Sequence, residues 1–174
     1  MSQAANHVKW CLEKAKKELE EAKKQGKAPK RRGLVQGKPS MDDAKKDMGK
    51  ADHNLKSVMY MVKGGFTVWA VSAAFYCMYH CMLAILAKFG YESRNQTCTI
   101  AAIEHLREDE TIDLDDKFIK MLKPDSEEGK ELKVIEMREE YTYGFELAAQ
   151  EADIKKLTQL CKELIDETKS MIYE

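Results

Sequence analysis

The sequence predicts an all-α protein, an antiparallel bundle of about five to six helices. Apolar residues recur at three- and four-residue spacing along most of the 174 residues, and no segment stands out as a strand. The 9 Gly and 3 Pro are few, and most of them fall between the helical segments. With 44% hydrophobic residues, a chain of this length can bury one core and is short for two domains.

A first helix is predicted over residues 5–25, where an apolar stripe is separated by Lys and Glu. Residues 26–39 follow with three Gly, two Pro and a cluster of basic residues. Because Gly and Pro interrupt regular structure, this segment is expected to be a loop.

A second helix is predicted from Met41 to Val62, where the apolar residues alternate between three- and four-residue spacing. This alternation is typical of a helix packed nearly antiparallel on another. Ser40 is a suitable capping residue for its start, and the pair Gly64-Gly65 ends it.

The third helix is the most apolar predicted element. Residues 64–87 contain no Asp, Glu, Lys or Arg, which is long enough to cross a bilayer. However, Gly, Thr, Ser, Tyr and His dilute the apolar character of this segment. We expect a buried central helix from Thr67 to Phe89, ending at Gly90, and no membrane; a membrane span is the alternative.

Further helices complete the predicted bundle. A capping box over residues 93–96 starts a fourth helix, and residues 111–122 form a short one. Pro124 restarts the chain into a helix that Gly144 interrupts. The last helix has one apolar face, formed by Ile154, Leu157, Cys161, Leu164, Thr168 and Met171.

The charge is polarised along the chain. Residues 1–63 hold 16 basic and 8 acidic residues, a net of +8, and residues 64–174 hold 13 and 22, a net of -9. These halves give the total of -1. The total excludes a uniformly basic nucleic-acid binder, but a basic arm attached to an acidic bundle still suits an anionic partner.

The cysteine count indicates the compartment. Five cysteines are an odd number, and residues 1–10 lack the apolar core of a secretory signal. We therefore expect a cytoplasmic protein with reduced thiols. The cysteines are Cys11, Cys77, Cys81, Cys98 and Cys161.

The segment YCMYHC at residues 76–81 is the densest group of reactive side chains. Zinc binding there would need His80 and a thiol, together with Cys98 or His105 from the next helix. No paired CxxC or HxxxH pattern supports it, and no glycine-rich phosphate loop is present. We therefore expect no metal and no cofactor, with the Cys and Tyr in the core and His80 hydrogen-bonded locally.

Two regions are candidates for binding anions. Lys30, Arg31 and Arg32 in the basic loop would contact RNA phosphates without reading sequence; an ordinary solvated loop is the alternative. Arg94 lies at the start of a predicted helix, where backbone N–H groups favour anions. Its alternative role is to pair with Glu92.

Several motifs follow one another along the chain: KADHNL at residues 50–55, KGGF at 63–66, SAAFYCMYH at 72–80, GY at 90–91 and REEYTYG at 138–144. In this order they resemble the HEPN superfamily (higher eukaryotes and prokaryotes nucleotide-binding) over about residues 44–172. The chain is most similar to small archaeal-type members of unknown role. On this resemblance, residues 1–43 are a basic N-terminal extension and residues 44–174 a HEPN-like helical bundle.

The resemblance implies a homodimer with an RNA- or nucleotide-related role. Many HEPN proteins are metal-independent endoribonucleases, and others partner minimal nucleotidyltransferases in toxin–antitoxin pairs. The family's ribonuclease signature, an Arg followed four to six residues later by His, is absent after Arg94. Gln96 stands where some small members carry a His, and Gln cannot act as a general base.

We therefore expect a cytoplasmic HEPN-like dimer that binds RNA or a nucleotide without the usual ribonuclease site. The basic loop would supply affinity, and an altered site would combine Tyr76, His80, Arg94, Asn95, Arg138 and Tyr141. One alternative is an endoribonuclease toxin with His80 or His105 as the base and Arg94 stabilising the phosphorane. The other is a protein-interaction module that partners a nucleotidyltransferase.

Overall fold

The computed structural model describes residues 2–28, 33–123 and 133–174. Within these ranges the chain forms seven α-helices and one pair of short strands. The elements are α1 (Gln3–Lys24), β1 (Leu34–Gln36), α2 (Met41–Lys63), α3 (Thr67–Lys88), β2 (Tyr91–Ser93), α4 (Gln96–Glu108), α5 (Asp116–Leu122), α6 (Val134–Tyr143) and α7 (Glu151–Tyr173). The predicted all-α bundle is confirmed, with one or two more helices than expected.

Helix α3 is the centre of the bundle. It packs against α2, α4, α6 and α7, and 13 of its 22 residues are buried. In the described part of the chain it is the one helix long and apolar enough to cross a membrane, by length and composition alone. Because most of that apolar segment is covered by the other helices, α3 has the burial expected of a core helix.

Helix α2 has the bounds and the seam that the sequence predicted. Ser40 caps it, since its Oγ accepts a hydrogen bond from the backbone N–H of Asp43 at 3.2 Å. Gly64 follows its last residue, Lys63. The three-four seam faces α3 through the buried residues Ala44, Met48, Ala51 and Val58.

The strand pair is a feature that the sequence did not predict. Strands β1 and β2 are antiparallel, with Leu34 opposite Ser93 and Gln36 opposite Tyr91. The first strand lies inside the segment expected to be a loop. Each strand has only three residues, so alternation of apolar and polar positions cannot be recognised in the sequence.

Helices α4 and α5 begin later than predicted. Asn95 caps α4 by accepting the backbone N–H of Cys98 at 3.0 Å. The expected capping residue, Ser93, instead accepts a hydrogen bond from Thr99 in the structure. Asp115 caps α5, which therefore starts after an extended stretch rather than near residue 111.

The C-terminal helices agree with the predicted pattern. Gly144 ends α6, and the predicted apolar face of α7 is buried, except that Met171 is only partly covered. The predicted restart at Pro124 lies outside the described residues.

Helix α1 is joined covalently to the rest of the bundle. Cys11 forms a disulfide with Cys98 of α4, their Cα atoms being 6.0 Å apart. The expectation of five reduced thiols is therefore wrong for this pair. A sequence separation of 87 conceals the pairing in the sequence, and only the packing of α1 on α4 brings the two cysteines together.

Candidate anion-binding cleft

A cleft of ≈ 580 Å³ lies between the first half of α2, the second half of α3 and the strand pair. Lys38, Lys46 and Lys50 line it, and Leu83 and Tyr91 contribute apolar surface. A concave site that combines apolar surface with a few polar groups is the usual form of a ligand site.

The α2 wall of the cleft follows from helical spacing. Asp43, Lys46, Asp47 and Lys50 are three or four residues apart, so they lie along one face of the helix. This face adjoins the buried seam, and its charged groups are therefore held beside α3.

An aspartate of the cleft is hydrogen-bonded to a histidine of α3. His80 Nδ1 is 2.8 Å from Asp47 Oδ1, and the two side chains are only 17% and 23% exposed. Asp47 itself lines the cleft. A carboxylate on one ring nitrogen fixes the imidazole orientation and leaves the other nitrogen for proton transfer or a ligand. His80 thus has the hydrogen-bond partner that was expected, but the partner comes from α2.

The lysines of the cleft differ in their partners. Lys46 Nζ lies 2.8 Å from Asp43 Oδ1, and this contact lowers the pKa of Asp43 and raises the pKa of Lys46. Within the described residues, Lys38 and Lys50 have no carboxylate at ion-pair distance. Their charges are therefore available to an anion in the cleft.

Arg94 directly follows two cleft-lining residues, Glu92 and Ser93. Its guanidinium is 3.2 Å from Glu92, a cleft-lining residue, so the alternative of pairing with Glu92 is what the structure has. The backbone N–H of Arg94 donates to the carbonyl of Gly33 at 3.1 Å. Gly33 follows Lys30, Arg31 and Arg32 directly along the chain, and those three lie outside the described residues.

Asn95 and Gln96 hold the backbone rather than face a ligand. The Asn95 side-chain oxygen caps α4 as described above. Gln96 Nε2 donates to the carbonyl of Leu122 at 3.3 Å, which ties the start of α4 to the end of α5. The position where some relatives would carry a His therefore has a structural role here.

Tyr76 was expected in the core, but it is 46% exposed, because it lies on the outer side of α3 one helical turn before His80. Arg138 and Tyr141 are not brought to the cleft. The Arg138 guanidinium carbon lies 4.2 Å from the ring centre of Phe75, and Tyr141 packs against the core. His105 is about 13 Å along α4 from its first residue, and therefore far from Arg94.

Behind the cleft, a chain of hydroxyl groups joins three elements. Tyr79 Oη is 3.0 Å from Thr99 Oγ1, which donates to Ser93 Oγ at 2.7 Å. Burial raises the pKa of Tyr79, so its phenol stays protonated. These bonds connect α3, α4 and β2, and they support the wall that carries Arg94.

The thiols of the predicted reactive segment are in the core, as expected. Cys77 and Cys81 are fully buried and share a hydrogen-bonded cluster with Cys161 of α7. The hydrogen bonds to Cys77, together with burial, raise the pKa of Cys81 and Cys161, and the same bonds lower the pKa of Cys77. With no solvent access, this cluster is structural.

Sequence reasoning missed the α2 side of the cleft. Asp47 is 33 residues before His80, and no local pattern connects the two. The recurring charges at Lys46 and Lys50 are the available signal, but such a pattern is typical of any solvated helix face.

A buried central helix, wrapped by amphipathic helices and bordered by a polar cleft, defines a small all-α bundle domain. A family model described as the HEPN domain matches residues 44–171. The chain belongs to the HEPN domain family, as the motifs suggested. HEPN domains have nucleotide- or RNA-related roles and are often dimeric. A search of curated proteins found no match.

Proposed function

We propose that the cleft binds the phosphate groups of RNA or of a nucleotide. The observation that carries this proposal is that Lys38 and Lys50 line one cleft with no carboxylate partner among the described residues. A phosphate there would gain two charge-assisted contacts in a partly enclosed site. HEPN membership supports the same class of ligand.

Neighbouring groups extend this surface. Arg94 directly follows β2 and adds a positive charge, and the basic residues Lys30, Arg31 and Arg32 precede Gly33, whose carbonyl accepts the Arg94 backbone N–H. The rings of Tyr76 and Tyr91 offer flat surfaces on which a base can stack. Together these groups favour single-stranded RNA bound without strong sequence preference.

The test is fluorescence anisotropy with a labelled single-stranded RNA and, separately, with a labelled nucleotide. Lys38→Glu and Lys50→Glu should each weaken binding about tenfold, because each replaces a phosphate contact by a repulsive charge. The slope of log affinity against log salt should fall by roughly 0.7 for each lost contact.

Lys155→Glu is the matched control. Lys155 is an exposed lysine of α7 outside the residues that line the cleft, and its reversal should change affinity little. Equal affinity of the wild type and both cleft variants would contradict the proposal. Reversal of Arg31 and Arg32 tests the loop contribution separately.

A second candidate is an endoribonuclease, and the Asp47–His80 hydrogen bond favours it. A neutral imidazole oriented by a carboxylate can take the proton of a ribose 2′-hydroxyl, and Arg94 would stabilise the charge that develops on phosphorus-bound oxygens. This arrangement differs from the family's Arg-to-His spacing, because its base comes from α3.

RNA incubation with and without EDTA tests this candidate. Cleavage should persist in EDTA, and His80→Ala and Arg94→Ala should each reduce it at least about a hundredfold. Asp47→Asn should reduce it less. His53→Ala, at an exposed position of α2, is the control. Cleavage that is absent from the wild type, or unchanged in His80→Ala, would rule the candidate out.

We also infer a homodimer through the exposed face of α3. Phe66 and Trp69, at the start of this helix, are 60% and 57% exposed, which leaves two large apolar side chains for a partner to cover. Light scattering should show a dimer that Trp69→Glu converts to a monomer. A wild type that is monomeric at every concentration would contradict the homodimer and leave this face for a different partner, such as a nucleotidyltransferase.

A further inference from the structure

The junction of α1 with α4 holds a second group of reactive side chains. His7 and Cys11 are four residues apart and share a face of α1, and Cys98 is the third residue of α4. One ring nitrogen of His7 and the two sulfur atoms all lie within 4.8 Å of one another. The sequence predicted no metal site and offered Cys98 only as a residue that a site at His80 would need; the structure places Cys98 beside His7.

The disulfide accounts for the two sulfurs but not for the nearby imidazole, whose ring also makes an edge contact with Trp10 at 5.8 Å between centroids. Cys11 and Cys98 are 0% and 2% exposed, whereas His7 is partly exposed at the mouth of the junction. A disulfide needs no imidazole beside it. One imidazole and two thiolates are, in contrast, a common set of protein ligands for zinc, with the fourth position left to water.

The geometry of the junction suits this ligand set. Tetrahedral zinc holds two sulfurs at ~2.3 Å, so the sulfurs are ~3.8 Å apart. The ring nitrogen of His7 and the two sulfur atoms already lie within 4.8 Å of one another, so small side-chain rotations are enough to bring them to this geometry. The shared helix face places His7 and Cys11 as a preformed pair.

Solvent reaches the junction from a neighbouring cleft. This cleft, of ≈ 400 Å³, is lined by His7, Thr97 and Glu104 among others. Glu104 pairs with Lys123 at 2.7 Å and is therefore engaged elsewhere. Water from the cleft is the available fourth ligand.

We propose that His7, Cys11 and Cys98 bind a zinc ion when the two cysteines are reduced. A dithiol reductant gives two electrons and two protons to the disulfide, forming two thiols and the reductant's own disulfide. Zinc then displaces the two thiol protons to solvent and accepts lone pairs from both sulfurs and from one imidazole nitrogen. Helix α1 is thus held by a disulfide under oxidising conditions and by a zinc bridge under reducing conditions.

The experiment uses the full chain, reduced with a dithiol that is then removed without oxygen. Titration with Zn²⁺ against a chelator should show one tight site per chain. Titration with Co²⁺ should give the absorption bands of tetrahedral cobalt with thiolate ligands. Cys11→Ser should abolish both signals, while Cys161→Ser should retain them, because Cys161 belongs to the separate core cluster.

His7→Ala is the deciding variant. It should weaken zinc binding at least tenfold in the reduced protein while the oxidised protein still forms the Cys11–Cys98 disulfide. His53→Ala should leave zinc affinity unchanged. Absence of a tight zinc site in the reduced wild type would overturn the proposal, as would equal zinc affinity of the wild type and His7→Ala.

Discussion

Two consecutive residues of α3 connect it to different neighbours. Tyr79 bonds to Thr99 of α4, and His80 bonds to Asp47 of α2. Successive side chains of an α-helix point about 100° apart, so adjacent positions reach separate elements. A single turn of α3 therefore supports the site from two sides.

Replacing Tyr79 by Phe tests the support from α4. The variant loses the hydrogen bond to Thr99, which should lower the free energy of unfolding by about 1 kcal/mol at pH 7. Burial raises the folded-state pKa of Tyr79 above its ordinary value of 10.0. As the pH rises above 10, the phenol ionises in the unfolded wild type before it does in the folded wild type. The free energy of unfolding of the wild type therefore falls, whereas the Phe variant has no phenol to ionise.

The difference in unfolding free energy between the two proteins should therefore shrink as the pH rises past 10. Urea unfolding at several pH values between 7 and 11 measures it. A difference that stays constant over this range would show that burial does not raise the pKa of Tyr79.

For single residues, the sequence predicted which side chains are chemically suited to a site but not which residues they contact. His80 and Arg94 stand out in the sequence by chemistry and by position on a predicted helix. The Asp47 partner does not, because the contact depends on how α2 packs against α3. Asn95 and Gln96 were candidates on position alone, and their hydrogen bonds to Cys98 and Leu122 give them backbone roles.

Among the elements, the β1–β2 pair depends on one glycine. Gly90 has φ +81, and a Cβ atom there would lie 2.7 Å from the carbonyl oxygen of Gly37. Gly90→Ala should therefore combine backbone strain with a backbone clash and lower the free energy of unfolding by roughly 2–4 kcal/mol. Chemical denaturation measures this loss.

Gly65→Ala is the control for backbone strain alone. Gly65 has φ +80, and a Cβ there would meet no atom within 4 Å. Gly65→Ala should lower the free energy of unfolding by about 1 kcal/mol. If Gly90→Ala and Gly65→Ala lower the free energy of unfolding equally, the nearby carbonyl oxygen of Gly37 does not constrain Gly90.

The elements that the sequence predicted well are those whose buried face is long. In α2 and α7, six or seven turns repeat the apolar spacing, and their faces match the buried residues. The three-residue strands carry no such repeat. The start of α5 was placed too early because the apolar residues Ile112 and Leu114 are buried in an extended segment rather than in a helix.

For the molecule as a whole, the charge polarity coincides with the fold. The basic residues 1–63 comprise α1, the loop, β1 and α2, and they supply the three lysines of the cleft. The acidic remainder, residues 64–174, supplies the core helix α3 and helices α4 to α7. A net charge near zero therefore accompanies a cleft in which three lysines lie with three carboxylates, those of Asp43, Asp47 and Glu92.

The disulfide should stabilise the whole molecule. Closing a loop of 87 residues removes unfolded-state entropy worth about 4.6 kcal/mol in the chain-entropy treatment. Reduction by a dithiol, with EDTA present, should therefore lower the Tm by roughly 10 °C. Scanning calorimetry of oxidised and reduced protein measures the change.

Cys98→Ala should have the low Tm in both redox conditions, since it cannot form the link. Cys161→Ser is the control, because it should keep the difference between oxidised and reduced protein. Equal Tm values for the oxidised and the reduced wild type would show that the disulfide does not stabilise the protein.

The Cys11–Cys98 disulfide closes residues 11–98 of the oxidised chain into a covalent ring, with a short segment before the ring and a longer one after it. The basic loop, α2 and α3 all lie within this ring. A protease that cuts one peptide bond anywhere in it therefore releases no fragment until the disulfide is reduced. A nicked molecule would run as one intact species on a non-reducing gel, and separate into two pieces when thiol is added.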